Sequence, residues 1–209
     1  MFGVWTSSRL AAAVIAIATA AGRAQTTQYR PELDVYWKSS DHARTFFQLA
    51  GQAEHAPVSR DPLIGLFEDF LFVPDGYVRG GYRYNLHSYE SRALVELAFR
   101  VFKAGPVRFL NRNRVEWRWV DGKYSYRARE RVQLQRVPPP KGLGLAPYAM
   151  FEAYYDSRFR TIARLAPRLG SEARLGGPAS MDLYYLRQDN LRGKPAYVNI
   201  GGLIIKLSY

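Results

Sequence analysis

A chain of 209 residues has room for one domain, and the absence of cysteine excludes disulfide scaffolds, thiolate metal sites and cysteine nucleophiles. Fifteen Tyr, 11 Phe and 4 Trp coexist with a negative mean hydropathy of −0.28, the combination expected when alternate side chains of each strand face hydrocarbon and water. The formal charge of +12, from 30 Lys and Arg against 18 Asp and Glu, admits nucleic acid, anionic lipid or acidic solutes as partners until the positions of the charges decide.

Residues 1–24 read as a secretory signal peptide. Arg9 is followed by an apolar run from Ala11 to Ala21, too short to span a bilayer, and Gly22-Arg23-Ala24 supplies small residues around a cleavage site after Ala24. The remaining domain, 25–209, has no stretch approaching the length of a transmembrane helix, so membrane residence would require a barrel.

From about Arg30 onward the hydropathy alternates with period two. Strands are expected near 31–38, 43–53, 63–73, 77–84, 89–102, 107–119, 123–134, 147–155, 159–169, 178–188 and 196–209. The clearest pattern is Val107 to Trp119, where Arg108, Arg112, Arg114, Glu116 and Arg118 alternate with Phe109, Val115, Trp117 and Trp119. Asp121-Gly122 is a hairpin dipeptide. The return strand sets Arg127, Arg129 and Arg131 opposite Tyr124, Tyr126 and Val132, with Glu130 falling on the apolar face; a bulge or a rim position would accommodate it. Tyr89 to Phe102 alternates in the same way, with Glu90, Arg92, Glu96 and Arg100 on the charged face. Phe159 to Leu169 contributes Arg160, Arg164 and Arg168. These are eleven segments, yet single-chain bacterial barrels close with an even number, so 10 to 12 strands are expected and 12 are favoured. Trp37, Trp117, Trp119 and several tyrosines are candidates for interfacial girdles, Trp5 leaving with the signal peptide. The last residues place Leu203, Ile205, Leu207 and Tyr209 on one face with a terminal aromatic, an ending similar to the C-terminal signal read by the outer-membrane insertion machinery.

Several short motifs recur along the chain: Val78-Arg79-Gly80-Gly81-Tyr82-Arg83-Tyr84, Glu90-Ser91-Arg92, Asn111 to Arg118, Tyr126-Arg127-Ala128-Arg129 and Tyr184-Tyr185-Leu186-Arg187-Gln188. In order and spacing they resemble the DUF2490 family of uncharacterised bacterial proteins, over nearly the whole mature chain. That resemblance implies an outer-membrane barrel with charged strand repeats and implies no activity, so no catalytic residue is carried over.

The residues themselves point the same way. The three histidines, His42, His55 and His87, lie in expected turns or in the polar stretch Gln52 to Asp61 and form no catalytic constellation. Glu68 and Asp69 point to opposite faces of a strand, no ligand spacing suggests a metal, and phosphate-binding glycine patterns are missing; no enzyme activity and no cofactor are expected. Nucleic acid is not an expected partner, because arginines and rings fall on opposite faces. The expected architecture is therefore an all-β, transmembrane, antiparallel up-and-down barrel, present as a monomer in the bacterial outer membrane. Its partners would be lipid, the insertion machinery and small anions. Its interior network would comprise Glu90, Arg92, Glu96, Arg100, Arg112, Arg114, Glu116, Arg118, Arg127, Arg129, Arg131, Glu152, Arg160 and Arg164. Two readings follow from that network, a filled interior of paired charges and a narrow anion-selective channel. A soluble, lipocalin-like periplasmic binding barrel, with the polar face outward, is the non-membrane alternative.

Overall fold

The computed structural model describes residues 27–54, 62–137 and 144–209. The expected signal peptide and His55 lie outside the described residues. Within them the chain is all strand and turn: β1 (Thr27–Lys38), β2 (Ala43–Ala50), β3 (Ala53–Glu54), β4 (Leu63–Val73), β5 (Gly76–Asn85), β6 (Glu90–Ala104), β7 (Val107–Val120), β8 (Lys123–Arg136), β9 (Ala146–Asp156), β10 (Thr161–Gly176), β11 (Ala179–Asn190) and β12 (Tyr197–Ser208). No helix among the described residues is long and apolar enough to cross a membrane, which says nothing of strands.

Each long strand pairs antiparallel with its sequence neighbour, and β12 returns to β1 to close the sheet. The two-residue β3 only extends the ladder beyond the end of β2, pairing Ala53 with Tyr29. The wall therefore has eleven strands, neither 10 nor 12. The expectation of an even number assumes that the first and last strands run in opposite senses. Here they run in the same sense, and β1 and β12 form a parallel ladder from Thr27↔Asn199 to Tyr36↔Ser208. Parallel pairing supplies evenly spaced, slanted hydrogen bonds and satisfies both edges, so the ring closes without an open strand. Beyond the ladder, the Tyr209 amide donates to the Tyr36 carbonyl, and the Lys38 amide donates to the Tyr209 carbonyl, each at 2.9 Å.

Turn chemistry fixes the hairpins. Asp121 and Gly122 both take positive φ, 50° and 73°, as a tight two-residue hairpin requires. The β7–β8 register then runs unbroken from Val120↔Lys123 to Val107↔Arg136, so no bulge accommodates Glu130. That side chain sits at mid-strand on the outer face and is exposed. Strand β10 is longer than expected at its C-terminal end, because Glu172 and Arg174 continue the alternation that Gly170 and Ser171 obscure.

The pleat sorts side chains by face. Exposed on the outside are Leu66, Val95, Leu97, Phe151, Leu169 and Leu203 around the middle, with aromatic residues toward both ends. Tyr29, Tyr82, Trp119, Tyr124 and Tyr126 crowd the mouth where β1 begins, called here the first mouth; Trp37, Phe70, Phe72, Phe102 and Tyr209 ring the second. Inside, the wall formed by β9 to β12 is partly apolar, with Tyr148, Met150, Tyr184, Leu186, Ile200 and Ile204 packed together. A smaller group, Phe46, Phe67 and Leu94, lies across the lumen with Tyr36 stacked on Phe46 at 4.5 Å.

Gly202 faces inward beside the closing seam, and a Cβ there would overlap the buried Tyr184 ring. Replacing it by Val should displace that ring and cost about 1–3 kcal/mol or more by overpacking. Gly80, with open space where its Cβ would lie, serves as the comparison. The expected result in a urea titration of the refolded barrel is a lowered midpoint for Gly202→Val and little change for Gly80→Ala.

Candidate functional site

The interior is where the chemistry lies. Register brings arginines of neighbouring strands face to face: Arg83↔Arg92, Arg92↔Arg118, Arg112↔Arg131 and Arg114↔Arg129. Like charges directly opposite repel, so such pairs need carboxylates beside them. The same registers supply them as Glu96↔Arg114, Glu116↔Arg127 and Glu152↔Arg131.

The result is one connected network. Glu96, with no exposed surface, takes Arg114 at 2.6 Å, Arg112 at 3.5 Å, Arg129 at 3.6 Å and the Tyr77 hydroxyl at 3.0 Å. Glu116 takes Arg83 at 3.2 Å and Arg114 at 3.3 Å, with Arg92 farther off at 3.8 Å. Glu152 accepts from Arg131 and from the Tyr154 hydroxyl, and lies 3.6 Å from Arg129. Toward the first mouth, Glu90 binds both Arg92 and Arg118, and Asp156 joins Arg118 at 3.3 Å, Arg127 at 3.4 Å and Arg158 at 2.7 Å. Charge-assisted hydrogen bonds of this kind hold guanidinium planes in fixed directions.

Of the residues expected in this network, two stand elsewhere. Arg160 has φ 53° in the turn before β10 and is exposed, because β10 starts at Thr161 rather than at Phe159. A register shift between Ile162 and Arg164 then keeps Arg164 inward. Arg100 stands at the second rim beside a register shift and pairs with Asp75 of the neighbouring turn at 2.9 Å. Arg108 shares that carboxylate at 3.2 Å.

Sequence reasoning missed several inward groups. Asp69 is fully buried and holds Arg79 at 2.6 Å and Arg44 at 2.7 Å. The Arg79 guanidinium also lies 4.2 Å from the centre of the Phe46 ring, a cation–π contact. Tyr77, Arg79, Arg83 and Asn85 share the inward parity of β5, a signal that Gly80 and Gly81 weaken. On the far wall Glu32 accepts from Gln48 at 2.7 Å, Asp182 accepts from the Tyr148 hydroxyl at 3.0 Å, and Lys206 meets Glu172 at 3.2 Å. Arg168 rests on the face of Tyr184, 3.9 Å from the ring centre.

These side chains surround a cavity of about 700 Å³ whose lining runs from Arg30, Gln52 and Gln188 at the first mouth to Gln135, Lys206 and Ser208 at the second. Fourteen arginines and Lys206 line it against six carboxylates. Behind its surface, Asp69, Glu90, Glu96 and Asp156 add four more, so cations remain in excess. Among the described residues, two of these lining arginines near the first mouth, Arg164 and Arg30, have no carboxylate partner. Arg164 makes no ion pair among the described residues and packs its guanidinium 5.4 Å from the centre of the Tyr154 ring, with Arg30, Arg92 and Arg118 as its charged neighbours. Arg30 is met by an amide, Gln52, at 3.3 Å. His42 and His87 lie in turns, and no cluster that would hold a metal ion occurs among the described residues.

No family model, curated protein or solved structure matches the chain, so the DUF2490 resemblance rests on the strand motifs alone.

Breaking a buried pair costs more than the pair contributes, since it strands the remaining charge; a loss of about 3–5 kcal/mol is the usual scale. Glu96→Ala should lower the barrel's unfolding free energy by that order, read from denaturant titration in detergent or lipid. Removing the exposed Lys38–Asp41 pair at the second rim, by Asp41→Ala, should leave the same midpoint unmoved.

Proposed function

We propose that the chain is an outer-membrane barrel whose lumen admits small anions, and that its role is passage rather than catalysis. One observation carries this reading: the charged cavity has lining residues from both mouths, and among the described residues its arginines outnumber the carboxylates that could neutralise them.

Membrane residence is supported by the outer face. A lipocalin-like soluble barrel would turn its polar residues outward; this wall turns leucines, valines and rings outward and arginines in. The aromatic residues at the two ends have the distribution of interfacial girdles, and the Leu203, Ile205, Leu207, Tyr209 face of β12 lies on the outer surface beside the closing seam, where an insertion signal would be read.

The passage follows from the charge layout. A hydrated anion is drawn to the first mouth by the positive potential around Arg30 and Arg164. Inside, it exchanges water for guanidinium N–H donors, and cations are repelled by the same groups. Arginines already saturated by Glu96, Glu116 and Glu152 stay fixed in the wall. They keep the lumen polar without closing around the solute.

Planar-bilayer recording tests the reading. In an asymmetric KCl gradient the wild-type reversal potential should fall on the chloride side, and Arg164→Glu should reduce the chloride-to-potassium permeability ratio several-fold without loss of folding. Correctly folded, heat-modifiable protein that never conducts would exclude the channel. For the membrane assignment, deletion of Tyr209, which removes a ring and two backbone hydrogen bonds to β1, should slow assembly into outer-membrane vesicles and reduce the heat-modifiable fraction.

A further inference from the structure

The outer belt carries a cluster of amide and carboxylate side chains at mid-strand on β7 and β8. Asn113 of β7 stands directly opposite Glu130 of β8, and Asn111 lies two residues along the same strand. The Asn113 amide donates to the Asn111 carbonyl at 2.5 Å. Glu130 is exposed and makes no hydrogen bond or ion pair among the described residues. Its surroundings on that face are apolar: Leu97 and Phe99 lie in register with the two asparagines on one side, Val132 and Ala153 beside Glu130 on the other. The other charged groups described on the outer face differ from Glu130: Glu68, midway along β4, has a partner, Arg187 and Asp189 pair near the first mouth, and Arg136 lies at the end of β8 on the second rim. Glu68 accepts from Thr45 at 2.9 Å, and Arg187 meets Asp189 at 2.9 Å.

At the depth of mid-strand, lipid chains offer neither donor nor acceptor, and an unmatched carboxylate beside amides that satisfy each other only in part is costly there. Whatever covers the cluster must present, at the same depth, an amide to Glu130 and an acceptor to the asparagines. A second copy of the chain does so by symmetry. Two copies inserted in one membrane point the same way, so a closed pair has its two-fold axis along the membrane normal. An axis passing between the two columns sets β7 of each copy across from β8 of the other. Asn113 then faces the partner's Glu130, and the match occurs twice. Two like residues astride the axis would have repelled or left gaps; an amide beside a carboxylate is self-complementary. Small Ala128 and Ala153 flank Glu130 and let the walls approach, with Leu97, Phe99 and Val132 forming an apolar frame.

We infer that this cluster is the contact through which two copies pair side by side in the membrane. The inference rests on the membrane reading above and replaces the single-copy expectation.

The chain has no cysteine, so Val115→Cys, two residues along β7 from Asn113 on the same outer face, introduces a unique thiol near the axis and leaves the amide and the carboxylate in place, and Leu203→Cys places one on the distant β12 wall. After export to the outer membrane and mild oxidation of intact membranes, Val115→Cys should give a disulfide-linked pair of chains, and Leu203→Cys should remain single. Adding Glu130→Ala to the first variant should lower the linked fraction several-fold; Glu130→Gln, which keeps an acceptor, should retain most of it. In detergent, light scattering on chains without introduced cysteine should give two chains per particle for wild type and one for Glu130→Ala, each checked for heat-modifiable migration. Inserted, heat-modifiable protein that runs as one chain without introduced cysteine, and that links no better from position 115 than from 203, would overturn the pairing alone. Linkage from position 115 to a different protein, or to more than one further copy, would also overturn it. Absence from the membrane fraction would overturn the membrane reading and the pairing together.

Discussion

The structure depends on how arginines that face one another across neighbouring strands are kept from repelling. The pleat sets Arg114 against Arg129 and Arg112 against Arg131, contacts that on their own would push β7 and β8 apart. Glu96, Glu116 and Glu152, each almost without exposed surface, sit between them and accept from several guanidinium groups at once. Buried ion pairs are weak evidence for stability in themselves. Their stronger contribution is to register: slipping β7 or β8 by one residue would turn its whole arginine set outward and leave the interior carboxylates without partners. If the barrel is inserted as proposed, each arginine turned to lipid at the middle of the bilayer would add roughly 2–4 kcal/mol to that cost.

The interior is divided as a result. On the side of β5 to β8 the wall is a lattice of guanidinium and carboxylate groups, largely self-neutralised. On the side of β9 to β12 it is built from rings and aliphatics, with Arg168 laid on Tyr184. Near the first mouth the described arginines outnumber the described carboxylates. Asp156 is already shared among Arg118, Arg127 and Arg158, and Arg164 has an aromatic face where a carboxylate would otherwise be. In the proposed channel that local imbalance would set the selectivity, while the paired lattice behind it holds its guanidinium groups in place.

Much of this architecture was legible in the alternation of the chain. The eleven expected segments correspond to the eleven long strands, and Asp121-Gly122 marked its turn correctly. The strand number went astray because a rule about even barrels overrode the count that the pattern itself returned. Arg160 was misplaced because period two was extended into a turn, where no pleat holds; Arg100 keeps the inward parity opposite Leu110 but stands beyond the end of β5, where the Asp75 turn takes its charge. Asp69 and Arg79 were passed over since Gly80, Gly81 and the Glu68–Asp69 pair dilute the contrast between faces. Which carboxylate meets which arginine was not legible at all, because that depends on lateral register between strands and not on the periodicity within one.

The closing seam has a topological corollary. An odd number of passages means that the polypeptide enters the ring on one side and leaves it on the other, with Thr27 and Tyr209 at opposite mouths. In an even-numbered ring both ends of the wall would share a compartment; here a bilayer around the ring would assign them to different ones.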